Sequence, residues 1–178
     1  MIDARVVDTN VLIVASAADD GSPFQPGATP VEEQSLRKHV LDWLIDFEKD
    51  SERHAVMDWD WLICGEYQNK LTEQDFGLLS MMAKHDRGEV VWISLSTDSD
   101  GHAVLQESLS TSVTDRADRK MVAAVLAAKR EGHPCKLTNA CDTDWFDCAD
   151  VLIEHGVEVE QLIETWLYKK WQAKKNRP

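Results

Sequence analysis

The chain has 178 residues, 43% of them hydrophobic, and a formal net charge of −13. That length suits one domain able to bury roughly two-thirds of its unfolded surface, and the acidic balance argues against general DNA binding, which needs Lys and Arg against phosphate. No apolar run nears the ~18 residues that span a bilayer, and no basic region leads into a long apolar stretch, so a soluble, cytoplasmic protein with no membrane partner is expected.

Taken in chain order, residues 4–8 read as a short strand. A helix start follows at 10–17, with Asp8, Thr9 and Asn10 all good capping residues. The Gly, Pro, Asp and Ser content of 18–30 marks a loop. Leu36, Val40, Trp43, Leu44 and Phe47 give 31–49 the spacing of an amphipathic helix. HAVMDW at 54–59 reads as a strand, 61–71 and 73–85 as helices, and EVVWISL at 89–95 as a strand. Residues 96–114 are rich in Ser, Thr and Asp and give no period. RADRKMVAAVLAAKRE at 116–131 is a strong helix, rich in Ala and long straight side chains. CKLTN at 135–139 reads as a strand, 145–155 as a helix, 157–159 as a short strand and 160–175 as a closing helix. Strands separated by helices of this length predict an α/β fold with parallel strands and helical crossovers.

The cysteines, Cys64, Cys135, Cys141 and Cys148, form no C-x-x-C pair and have no His-x-x-x-His companion. Reduced, partly buried thiols are therefore expected, not structural zinc ligands. The last eleven residues, YKKWQAKKNRP, carry five Lys/Arg and no acid. They are either a contact for nucleic acid or a partner, or a solvated helix end favoured by the helix dipole. The chain thus divides into a main domain over 1–167 and a basic helix end or tail over 168–178.

In VVDTNVLIVAS, Asp8 interrupts an apolar run. An unpaired buried charge costs several kcal/mol, so this carboxylate belongs at a strand end, where parallel sheets bind their ligands. Other acids follow later strand ends or open helices. Glu66 lies in LICGEYQNKL, Asp115 and Asp118 in TDRADRKM, and Asp142 and Asp144 in LTNACDTDW. Each has a purely structural alternative: a helix cap for Asp8 and Asp144, a surface acid for Glu66, dipole stabilisation for Asp115 and Asp118, and a turn for Asp142. Asp58 and Asp60 read best as strand-end turn residues. Trp43 and Trp92 fit core positions. Trp59, Trp61 and Trp145 lie near the acids, where stacking on unpaired bases competes with ordinary packing as the stronger reading.

These stretches, in this order, resemble the motifs of the PIN domain family of metal-dependent nucleases. VVDTNVL is similar to its first strand and Asp-Thr/Ser-Asn motif, GEYQNKL to its helical Glu, DRADRKMVAAVLAA to its Asp at a helix start, and LTNACDTDW to its last acidic loop. The resemblance spans about residues 4–165. Residues 18–30 and 96–114 look like insertions, and the last loop is longer by the residues between Asn139 and Asp142.

The resemblance implies a three-layer α/β/α sandwich around a central, mainly parallel sheet of about four to five strands. It implies that Asp8, Glu66, Asp118 and Asp142, with Asp144 nearby, bind Mg2+ or Mn2+, which prefer oxygen ligands. The reaction would be phosphodiester hydrolysis, more in keeping with RNA than DNA, leaving a 5'-phosphate and a 3'-hydroxyl. Thr9 and Asn10 would orient Asp8 or the substrate side, and Asp115 would support the metal site from one helix turn before Asp118. Arg116, Arg119 and Lys120 neighbour Asp118 and are candidates for phosphate contact, though exposed helix charges explain them equally well. A toxin role with an antitoxin or other protein partner, and a homodimer, are in keeping with the family. Two other functions compete: an inactive PIN-like module that binds protein, and an aspartyl-phosphate hydrolase with Asp8 as nucleophile. The last wants an acid where Asn10 stands. Crowded carboxylates repel, so Asp8→Asn or Asp118→Asn is expected to stabilise the metal-free protein while abolishing cleavage.

Overall fold

A computed structural model describes residues 2–24 and 26–177. Five strands, β1 (Asp3–Val7), β2 (Arg53–Asp58), β3 (Val90–Ile93), β4 (Cys135–Asn139) and β5 (Val159–Gln161), form one sheet in the order β3-β2-β1-β4-β5. Every neighbouring pair is parallel. The expected three-layer α/β/α architecture is therefore present, with a wholly parallel sheet.

The central strand explains the opening apolar run. Val6 and Val7 are fully buried, as a strand covered on both faces requires. Helix α1 (Thr9–Ala18) follows at once and packs on α2 (Gln34–Lys49). Helix α3 (Leu62–Lys70) leans on β2, and α4 (Phe76–Asp86) packs on α1, α2 and β2. After β3 come the short α5 (Glu107–Ser112) and α6 (Arg119–Arg130), and α6 lies against β1, β2, β3 and β4. The chain ends with α7 (Asp144–Asp147), α8 (Ala149–Glu154), β5 and α9 (Glu164–Lys175).

Several boundaries differ from expectation. The helix expected at 145–155 is two short helices that meet at Cys148. The last strand begins at Val159, not at Val157, because Leu137 pairs with Val159 and Val157 only leads into the sheet. The Ala-rich helix begins at Arg119, so Asp115 lies before it, with its carboxylate closing a turn on the Ala117 amide at 2.8 Å. The segment without a period holds an isolated bridge between Thr97 and Ala103, and then α5, in which Leu109 alone is buried. The basic residues at 168–175 are the last turns of α9. Among the described residues, no helix is long and apolar enough to cross a membrane. All four cysteines are free.

Candidate acidic site at the carboxyl end of the sheet

Strand order reverses between β1 and β4: β2 and β3 extend the sheet one way, β5 the other. Such a reversal leaves a crevice outside the carboxyl ends of the two strands. Asp8 directly follows β1, and the 139–143 loop directly follows β4, so both border it.

Asp8 keeps the sheet's register through its amide, which donates to Thr138 O at 3.0 Å. Its carboxylate then caps α1, accepting from the Asn10 amide at 3.2 Å. The other oxygen accepts from Trp145 Nε1 at 2.8 Å. Only 7% of Asp8 is exposed, and Trp145 is buried at 1%. Burial pushes the Asp8 carboxyl up to about 7. The two hydrogen bonds oppose that rise, and the charges of Asp142 and Glu66 add to it. Asp8 is thus both a cap and a member of an acidic group.

Asn10 places the loop after β4. Its side-chain oxygen accepts from the amides of Ala140 at 2.9 Å and Cys141 at 3.1 Å, and its Nδ2 donates to Asn139 Oδ1 at 2.9 Å. Asn139 Nδ2 in turn donates to Asp142 O and to Gln161 Oε1, at 2.9 and 2.7 Å. Asp142 is half-buried, and one carboxylate oxygen accepts from the Asp144 amide at 2.9 Å. Burial and its acidic neighbours hold its carboxyl above the ordinary carboxylate range, against the lowering effects of that amide and of Lys174.

Glu66 is carried by α3, whose start is fixed by Asp58. The buried Asp58 carboxylate accepts from the amides of Leu62 and Ile63, both at 2.9 Å, as a helix cap does. Tyr67 OH donates to Val7 O at 2.5 Å and so ties the same helix to the end of β1. Glu66 accepts from Thr9 Oγ1 and pairs with Lys120 Nζ.

Asp118 stands at the start of α6 and makes no side-chain capping bond. It is half-buried. Burial pushes its carboxyl up to about 8, and the charges of Asp8, Asp142, Asp115 and Glu66 add to that. The four principal acids named from sequence therefore act on one another electrostatically. Beside them lies a cleft of about 240 Å³ whose walls include Asp115, Asp118, Asp144, Trp145 and Lys174.

Comparison with known proteins finds no matching family model, curated protein or solved structure. The residues must speak for themselves. Among those described, no three His, Cys, Asp or Glu side chains stand as a finished ligand set for one ion. The donor chemistry nonetheless suits a hard divalent cation: every side chain concerned is a carboxylate, and Asp118 faces like charges without a capping bond.

The remaining sequence-named residues have other partners. Thr9 and Asn10 hold Glu66 and the Asp142 loop, not Asp8 through their side chains. Asp144 pairs with Lys174 at 2.6 Å. Arg119 donates to the backbone oxygens of Val113 at 3.1 Å and Ser110 at 2.9 Å, bracing the segment after α5. Arg116 is exposed, 3.5 Å from Asp100. Trp145 is interior and cannot stack on a base. Its indole N–H bond to Asp8, like the Lys120–Glu66 pair, was not visible in sequence: each joins residues from separate elements, and no local spacing encodes it.

Proposed function

We propose that this chain is a metal-dependent nuclease of the PIN type, cutting phosphodiester bonds, preferably in RNA, in the cytoplasm. The observation that carries the reading is Asp118, a half-buried carboxylate pressed by the charges of Asp8, Asp142 and Glu66 beside the point where strand order reverses. Packing alone gives no reason to crowd four acids there, since like charges brought together cost stability. Asp8, Asp118 and Asp142, with Glu66 and Asp144 at the margin, are the residues that would hold Mg2+ or Mn2+. Such an ion, when bound, polarises a phosphodiester and makes a water nucleophilic near neutral pH. The protein's own part is preparation. Trp145 and the α1 amide fix Asp8, Asn10 fixes the Asp142 loop, and Thr9 fixes Glu66. Lys120, on Glu66, is placed to trade that carboxylate for a substrate phosphate. A toxin role with an antitoxin partner is a natural extension of this reading.

The Lys120–Glu66 pair also favours a second reading, an inactive PIN-like module that binds protein, because it satisfies Glu66 without an ion. One experiment separates the two. Melting temperature is measured with Mg2+, Mn2+ or chelator, beside cleavage of mixed RNA and DNA oligonucleotides by the parent protein and Asp118→Asn. A nuclease gains stability from Mg2+ or Mn2+ and cuts only when one of them is present, and Asp118→Asn loses both. No shift in melting and no cleavage under any condition would leave the binding module.

A further inference from the structure

The basic end of the chain meets acids of its own fold. Ile163, just before α9, and Leu167 within it are buried, and the later turns of α9 dock on α7, the short helix that follows the Asp142 loop. Phe146 of α7 packs against Tyr168 and Trp171, with ring centroids 6.0 and 5.5 Å away. Trp171 Nε1 donates to Asp147 Oδ1 at 2.8 Å. Lys175 Nζ lies 4.0 Å from the Trp171 ring centroid and 3.9 Å from Asp147. Contacts from successive turns therefore fix where the end of α9 sits, and Lys174 is placed by its neighbours.

Those turns carry Lys174 into the acidic cleft. Its Nζ lies 2.6 Å from Asp144 Oδ1 and 3.4 Å from Thr143 Oγ1. Asp115, Asp118, Asp144 and Asp147 wall the cleft, and Lys174 is the one cation among the described residues that do so. Its charge also acts on Asp142. A single ammonium thus answers four carboxylates in the cleft and a fifth beside it.

An ammonium and a divalent ion compete for the same oxygens. The Lys174 side chain is 55% exposed, so its pair with Asp144 is weak and screened by solvent. It can give way to an ion with two charges and a preference for carboxylate oxygen. Being attached to the fold, however, the ammonium is present at a high effective concentration, and a divalent ion must overcome it.

Resting on the metal-binding part of the nuclease reading, we propose that Lys174 is the built-in counter-ion of the acidic cleft, an autoinhibitory contact that leaves Asp144 when Mg2+ or Mn2+ enters. Calorimetric titration of the full chain with each ion tests this without turnover. Lys174→Gln should bind Mg2+ and Mn2+ about three- to fivefold more tightly than the parent, and Lys174→Arg, which keeps the cation, should match the parent. Lys170→Gln removes the same charge one turn earlier, where the ammonium lies over Trp166, and should also match the parent. Adding Asp118→Asn to Lys174→Gln should abolish the gain, since the ion then lacks its cleft. A thermal melt in chelator confirms that each variant is folded, which the exposure of Lys174 favours. Equal affinity of parent and Lys174→Gln, a gain shared by Lys170→Gln, a gain that survives Asp118→Asn, or no ion bound by Lys174→Gln would each overturn the counter-ion. The two readings fail separately. Tighter binding by Lys174→Gln, with no cleavage of RNA or DNA by parent or variant, removes the nuclease and keeps the counter-ion. Cleavage whose dependence on metal concentration is indifferent to Lys174→Gln removes the counter-ion and keeps the nuclease.

Discussion

Asp8 and Asp118 both belong to the acidic group, yet their environments separate what substitution does to them. Asp118 makes no capping bond, so Asp118→Asn removes a repelled charge and orphans nothing. In chelator at pH 8 it should raise stability by about 1–2 kcal/mol, a few degrees of melting temperature, and the gain should be smaller at pH 5 and vanish only below about pH 4, where the unfolded carboxyl is protonated as well. Asp8→Asn has a cost to set against the same gain. Asp8 accepts two N–H groups, one on each oxygen, whereas an amide offers one oxygen. One donor, the buried Trp145 N–H or the Asn10 amide, then faces an NH2 group, at a penalty of about 1–3 kcal/mol. Asp8→Asn should therefore be close to neutral in a thermal melt, and a gain matching that of Asp118→Asn would show that the Trp145 bond contributes little. Equal stabilisation by both substitutions, the expectation from sequence, does not survive the hydrogen bonds around Asp8. Trp145→Phe isolates that bond from packing. It should destabilise by about 2 kcal/mol at pH 8 and by less at pH 5, where Asp8 is no longer a charged acceptor.

At the scale of elements, what was legible in sequence was whatever a local period or a run of small residues encodes. The alternation of strands with long helices announces the parallel sheet, and CKLTN marks β4 to the residue because it is largely buried and bounded by turns. α5 leaves no trace in the sequence, because it buries one side chain and so has no apolar stripe. The sequence draws α6 out to 116, whereas it starts at Arg119, because the turn at Asp115–Asp118 uses the same polar residues that open helices. The acids were legible as strand-end carboxylates. Their supports (Trp145, Lys120, the Asn10–Asn139 exchange) were not, since each depends on elements distant in sequence. The packing of α4 on α1 was equally hidden. A Cβ at Gly77 would lie 2.5 Å from Leu12 O and 2.7 Å from Leu12 Cβ, while the Gly77 amide donates to Ser16 Oγ at 2.9 Å. Gly77→Ala should force the two helices apart and cost about 1–3 kcal/mol by overpacking, despite alanine's better helix propensity. A urea titration reads this directly, and an unchanged or raised midpoint would mean that the close approach is not needed.

For the whole molecule, the acidic group should set how stability responds to pH and to divalent ions. The Asp8 and Asp118 carboxyls titrate at about 7 and 8 in the folded state, against about 3.9 when unfolded. Between those values the native protein holds more protons than the unfolded chain, so stability must fall as pH rises from about 4 through 8. Glu89 works the other way. Hydrogen bonds from Arg87 and from the buried Lys84 lower its carboxyl to about 2. Its contribution is present above the unfolded value and is lost as pH falls toward 2. The metal-free protein should therefore be more stable at pH 5 than at pH 8, whereas a chain lacking crowded acids would be flat across that range. A divalent cation that binds only the folded, ionised group reverses the slope. At a hundredfold excess over its dissociation constant it adds about 2.7 kcal/mol, roughly 5–10 °C for a chain of this size, and the gain should grow from pH 5 to pH 8 as protons cease to compete. Thermal melts at both pH values, with Mn2+ and with chelator, check both halves. A metal-free profile that is flat or rises from pH 5 to pH 8 would mean that the four carboxylates do not press on one another, and the reason to seek an ion among them would be gone.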